Sequence, residues 1–202
     1  VNDMGRVAGS NPENTDVLVF HGSTDAPTVD VTEPAALLGL VDDLSYGEFT
    51  GDYLSLPTAD YSLQVQDETG QTAVAQFAAP LETLGLEESA LVVVASGFLD
   101  PASNSDGPAF GLYAALPSGG EMVELPAEDI STAQVQVIHN SADLAADIVD
   151  VWMNDQVLLD DFAFRNASPF VDVTAGVNFD ITIQGANGTD TTNGLWRKNY
   201  SL

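Results

Sequence analysis

The sequence predicts an all-β fold: antiparallel β-sandwich repeats of immunoglobulin-like or Greek-key type, with very little helix. Three observations carry that expectation: short apolar runs with strand-like alternation, turn-forming clusters at regular intervals between them, and an internal repeat. Val17-Leu-Val-Phe-His-Gly-Ser-Thr-Asp25 recurs 118 residues on as Val135-Gln-Val-Ile-His-Asn-Ser-Ala-Asp143. Both copies read Val-x-Val-x-His-x-Ser-x-Asp, and each is followed by Val-Asp-Val (29–31 and 149–151). Leu44-Ser-Tyr46 likewise matches Phe162-Ala-Phe164, and 61–65 matches 179–183. Whatever this chain does is therefore done by a unit used more than once.

In the first copy, Val17, Val19 and His21 alternate with Leu18 and Phe20, a run apolar enough for burial on both faces. Strands follow at 53–56, 61–65 and 72–77, separated by turns at 57–60 and 67–70. The longest apolar run, 90–95, is short and rich in Val, so it reads as a buried strand; a membrane helix needs roughly 20 residues. A polar loop at 99–108, a strand at 110–115 and an edge strand at 122–125 complete the copy. Helical signals are confined to 34–40 and 80–84, enough for a turn or two each.

The second copy supplies strands at 134–139, 148–153, 156–159, 170–173, 179–184 and 194–200, with turns at 154–155 and 185–190. It has no counterpart of 90–95 or of the strands beyond that run. The expected organisation is a preceding repeat's tail or a linker at 1–12, a complete repeat at 13–126, and a second repeat at 127–202 without its C-terminal strands. The chain reads as an excerpt of a longer array, against the alternative of a short, atypical second domain. A sandwich without those strands would expose core and an unpaired sheet edge.

Four basic residues (Arg6, Arg165, Arg197, Lys198) face 31 acidic ones, a net charge of −27. Nucleic acid is excluded as a partner, since counterion release needs a basic track, and an anionic bilayer is disfavoured for the same reason. The acidity suits solubility in a salty or extracellular medium, or divalent-cation binding. Without Cys there is no disulfide and no thiolate metal site. The first residues show neither a leader pattern nor an initiating Met, as expected of a processed or excerpted chain.

His21, Ser23 and Asp25, and again His139, Ser141 and Asp143, carry the letters of a hydrolase triad. In an extended segment such side chains stand about 6–7 Å apart in succession, too far for base and nucleophile to bond. The expected role is structural: His ends a strand while Ser and Asp lock the following loop. Alternation turns Asp30 and Asp150 out to a solvated strand face. The pairs Asp42-Asp43 and Asp160-Asp161 should face opposite sides, so neither flanks one glycosidic bond as acid and base. No cofactor is expected; the metal these loops would suit is calcium, through Asp100, Asn104, Asp106 and Asp190, although the spacing is not that of an EF-hand. Trp152 and Trp196 are candidates for stacking on a sugar.

His21 to Val31, the pair Tyr46-Gly47, the stretch Tyr53-Leu-Ser-Leu-Pro57 and the run 61–65 together resemble the bacterial and archaeal family called domain of unknown function 4397. The resemblance covers about residues 16–125 well and 134–202 in part. The second copy departs from it: Asp143-Leu-Ala-Ala-Asp stands for Asp-Ala-Pro, Arg165 for the Gly and Thr174 for the Pro. The resemblance implies a secreted or envelope-anchored β-sandwich, often in tandem within long surface proteins, and implies no activity. The function expected is a non-catalytic structural repeat of a cell-surface protein, a stalk, adhesin or filament subunit. Its partners would be neighbouring repeats or other copies, reached through module contacts or strand addition. The alternatives are a carbohydrate- or calcium-binding adhesion module and, remotely, a hydrolase.

Overall fold

The computed structural model describes residues 5–36, 38–154, 156–192 and 194–201. The start of the expected tail (Val1 to Met4), Leu37 of the 34–40 segment and Asp155 of the 154–155 turn lie outside them. The fold is all-β, and the chain divides into two compact units, Val1–Ile130 and Ser131–Leu202. Among the described residues no helix is long and apolar enough to cross a membrane.

The first unit contains β1 (Asn14–His21), β2 (Val29–Glu33), β3 (Leu38–Leu44), β4 (Leu54–Pro57) and β5 (Asp60–Asp67). It continues with β6 (Ala73–Pro80), β7 (Ala90–Ser96), β8 (Gly111–Ala115), β9 (Val123–Glu124) and β10 (Ala127–Glu128). Two five-stranded sheets form, ordered β4-β1-β7-β8-β9 and β10-β6-β5-β2-β3. Every pairing is antiparallel except β1 with β7, which run parallel from Asp16 opposite Ala90 to His21 opposite Ala95. Alternation in β7 turns Leu91, Val93 and Ala95 inward, and they share one core with Val29, Val31, Val65 and Phe77 of the other sheet. Each Val, Leu or Phe among them contributes about 1.5–3 kcal/mol by leaving water, and β7 is the central strand of its sheet.

The second unit contains β11 (Thr132–Val135), β12 (Ile148–Met153), β13 (Gln156–Ala163), β14 (Val171–Thr174), β15 (Asn178–Gly185) and β16 (Trp196–Ser201). Its four-stranded sheet, β13-β12-β15-β16, has the order of β3-β2-β5-β6. The registers correspond: Val29 pairs with Leu44 and Val31 with Val41, as Val149 pairs with Phe162 and Val151 with Leu159. Both hairpins carry the register shift at the same place, and Asp43 and Asp161 there take φ of 51° and 50°. Arg165 retains the left-handed backbone of Gly47 (φ 65° and 83°), so that departure from the family pattern does not change the local turn.

Among the described residues the other sheet of this unit is the pair β11-β14, matching β1-β4. Its fully buried apolar cluster is Val149, Val151 and Phe162, and beside it opens a cleft of about 450 Å³ lined by Val137, Val151, Ile183 and Trp196. The corresponding space in the first unit is closed down to about 50 Å³.

Three elements differ from expectation. The helical signal at 34–40 yields to a turn and to β3, because pairing with β2 overrides local preference. The strand expected at 134–139 stops early: beyond Val135 only the bridge between Ile138 and Ala167 forms. β10 exists through its pairing with β6.

Candidate functional site

The repeated His-x-Ser-x-Asp lies at the end of β1, where the chain leaves the sheet. His21 is buried, and its Nε2 donates to the Pro27 carbonyl at 2.9 Å, which fixes the proton on that nitrogen. The buried Ser23 hydroxyl donates to the Gly97 carbonyl at 2.8 Å and lies 3.3 Å from Asp25 Oδ1. Asp25 then gathers the loop after β7. Its Oδ1 accepts from the Leu99 N–H at 3.0 Å, and its Oδ2 from the Asp100 N–H at 3.0 Å and from Asn104 Nδ2 at 3.2 Å. The Asp100 N–H foremost holds the Asp25 carboxyl below its ordinary range, because these bonds favour the charged form. Ser23 and Asp25 thus tie loop 22–28 to loop 97–104, His21 holds loop 22–28 from within through Pro27, and the serine proton is directed away from the imidazole.

In the second unit the same letters do less. His139 Nε2 donates to the Ala146 carbonyl at 2.7 Å, as His21 does to Pro27. Ser141 and Asp143 are exposed, and Asp143 caps the one-turn 3-10 helix Leu144–Ala146 through the Ala145 N–H at 2.9 Å. The partners of Ser23 and Asp25 all come from the segment after β7, and the second unit has no such segment among its described residues.

The bulges assemble a second repeated constellation that strict alternation argues against. Asp30, Asp42 and Asp43 bring carboxylate oxygens within 4.8 Å of one another, and so do Asp150, Asp160 and Asp161. The left-handed residue at each bulge breaks the two-residue period, so adjacent aspartates no longer face opposite sides. The Asp43 N–H donates to Asp30 Oδ1 at 2.8 Å and the Asp161 N–H to Asp150 Oδ1 at 2.9 Å. Asp150 is buried, not solvated as expected, and its Oδ2 accepts from the Gly188 N–H at 2.8 Å, a contact 38 residues away. Burial first, then Asp42, Asp43 and Asp67, pushes the Asp30 carboxyl upward against the opposing Asp43 N–H; Asp150 and Asp161 push Asp160 upward.

Of the residues expected as calcium ligands, Asp100, Asn104 and Asp106 share one loop of the first unit, and Asp190 belongs to the second. Asp100 Oδ1 accepts from the Ser103 N–H, Asn104 Nδ2 donates to the Asp100 carbonyl and to Asp25, and Asp106 takes a left-handed φ of 53° in the same loop. Asp190, in the other unit, accepts from the N–H and hydroxyl of Thr192 at 2.9 and 2.7 Å. Trp152 is buried, while Trp196 is 45% exposed beside Tyr200 at the rim of the cleft.

Residues 15–104 match the family model described as domain of unknown function (DUF4397). A search of curated proteins returns no match.

Proposed function

Because residues 15–104 belong to the DUF4397 family, whose function is unknown, we propose that this chain is a non-catalytic structural segment: two β-sandwich repeats in tandem within a longer secreted or cell-surface protein, where it serves as stalk, adhesin or filament-forming subunit. One observation carries the reading. The two units repeat registers, bulge and left-handed residues position by position, and the polar residues of the repeated motif bond to backbone groups of loops, not to one another as base and nucleophile. Duplicated geometry without a convergent nucleophile and base is what an array of modules needs, and is not what a catalyst needs. The net charge of −27 fits a medium salty enough to screen self-repulsion within about 10 Å.

Sedimentation velocity over about a hundredfold concentration range, at low and molar salt, tests this reading. Association that grows with concentration and with salt is expected. A chain that stays monomeric throughout would remove assembly from the function.

A further inference from the structure

We propose that Asn187, in the turn that follows β15, is an acceptor for an N-linked oligosaccharide. The proposal rests on the reading of the chain as part of a secreted or cell-surface protein, the setting in which such acceptors are used. Three tripeptides read Asn-x-Ser/Thr with x other than Pro: 166–168, 187–189 and 199–201. The pattern alone is permissive, and the fold separates the three. In the first, the buried Ser168 hydroxyl donates to the Pro169 carbonyl at 2.7 Å and accepts from the Val137 N–H at 3.0 Å. The Asn166 backbone is held as well, its N–H by the Ala163 carbonyl and its carbonyl by the His139 N–H. In the third, Asn199 lies inside β16 opposite Asp180, and its Nδ2 donates to Asp180 Oδ1 at 3.2 Å. A transferase must take up the amide nitrogen and the hydroxyl of one tripeptide together, and the fold withholds a needed group in both cases. Asn187 and Thr189 are exposed, and neither side chain has a hydrogen-bond partner among the described residues.

The first unit shows why this turn is free. Asp67 and Gly185 hold the same register, opposite Val29 and Val149. Asp67 Oδ1 accepts from the Thr69 hydroxyl at 2.7 Å and from the N–H groups of Thr69, Gln71 and Thr72, so one carboxylate closes the turn after β5 from within. Gly185 has no side chain to do this. The second turn is anchored instead through Gly188, whose N–H donates to the Gly185 carbonyl at 3.1 Å and to Asp150 Oδ2 at 2.8 Å. Asn187 takes a left-handed φ of 66°, a backbone that Asn adopts more readily than most residues. In the first unit, where β10 covers the outer edge of β6, Glu68 and Thr69 in the matching turn are still exposed, so access to this turn does not depend on what lies beyond β16. The reaction needs one co-reactant, a lipid-linked oligosaccharide. Asn187 Nδ2 bonds to the anomeric carbon of the first sugar while that carbon's bond to the lipid phosphate oxygen breaks. The lipid phosphate leaves with the electron pair, and one amide proton passes to solvent.

Transfer to the folded chain by a purified oligosaccharyltransferase that reads Asn-x-Ser/Thr, supplied with its lipid-linked oligosaccharide, tests the proposal. Cleavage before aspartate separates the three tripeptides into fragments 161–171, 180–189 and 190–202. Mass spectrometry should find the oligosaccharide on 180–189, with at least about tenfold less on either of the others, because those sites react only when the fold opens locally. Thr189→Ala removes no contact in the fold and should abolish transfer, whereas Thr189→Ser should retain it. Fragment 180–189 of the chain isolated from the cells that make it should carry the oligosaccharide too. An unmodified Asn187 in the folded chain, under conditions that modify the free peptide 184–192, would overturn the proposal. Equal transfer to Asn166 or Asn199 would overturn it, as would a bare 180–189 fragment from the natural source. Failure at Asn187 with salt-driven association intact sinks this inference alone; an occupied Asn187 in a chain that stays monomeric at every salt sinks only the assembly reading.

Discussion

The backbone N–H of Asp100 donates to Asp25 Oδ2 at 3.0 Å, joining residues 75 apart in the sequence. The carboxyls of Asp25 and Asp100 both lie below the ordinary value of 3.8, held there by hydrogen bonds to their charged forms. A lowered carboxyl stabilises the fold above its unfolded value and loses that contribution as pH falls through the folded one. The 97–104 loop should therefore stay closed at neutral pH and open as pH drops below 3.8. Asp25→Asn should open it at neutral pH, with the Leu99 and Asp100 amides exchanging about tenfold faster by mass spectrometry. Unchanged exchange at both amides would refute the lock.

Identical letters predict unequal consequences in the two copies. Ser23 is fully buried with its proton on the Gly97 carbonyl, so Ser23→Ala should cost the first unit about 1–2 kcal/mol by leaving that acceptor short of a partner. Ser141 is exposed, and Ser141→Ala should change stability by less than about 0.5 kcal/mol. Urea denaturation of the two variants compares them directly. Equal losses would show that the motif is locked in both units.

That asymmetry marks where the sequence is legible. Strands such as β5, β7 and β15 announce themselves by alternation and β-branched residues between turn formers, and the repeat aligns the units. The bulge does not announce itself, because its left-handed residue is Asp in both copies and not Gly, so the expected opposite facing of neighbouring aspartates fails. The buried Asp150 takes a hydrogen bond from Gly188, 38 residues away, and Asp25 takes one from Leu99, 74 residues away. Local pattern carries neither.

The loop carboxylates that offer oxygen to calcium accept hydrogen bonds from their own loops at Ser103 and Thr192. A thermal melt should therefore have the same midpoint with calcium and with EDTA. A fall in midpoint with EDTA that Asp100→Asn or Asp190→Asn abolishes would return calcium to these loops, because only a bound ion makes stability depend on its free concentration.

The two acidic triads should respond oppositely to one substitution. Asp30 has a raised carboxyl, so its charge opposes folding at neutral pH and its protonation favours the fold as pH falls. Asp30→Asn keeps a carbonyl oxygen for the Asp43 N–H while removing the repulsion from Asp42 and Asp43. Its melting midpoint should exceed that of wild type at pH 7, and the gap should narrow both in molar salt and as pH falls toward the carboxylate range. Asp150 accepts from two N–H groups, those of Asp161 and Gly188, on its two oxygens. Asp150→Asn turns one acceptor into a donor facing an N–H, and should lower stability by about 1–3 kcal/mol despite relieving the same repulsion. Differential scanning calorimetry of the two variants decides this. A stabilised Asp150→Asn would mean that charge, not hydrogen bonding, governs the buried site.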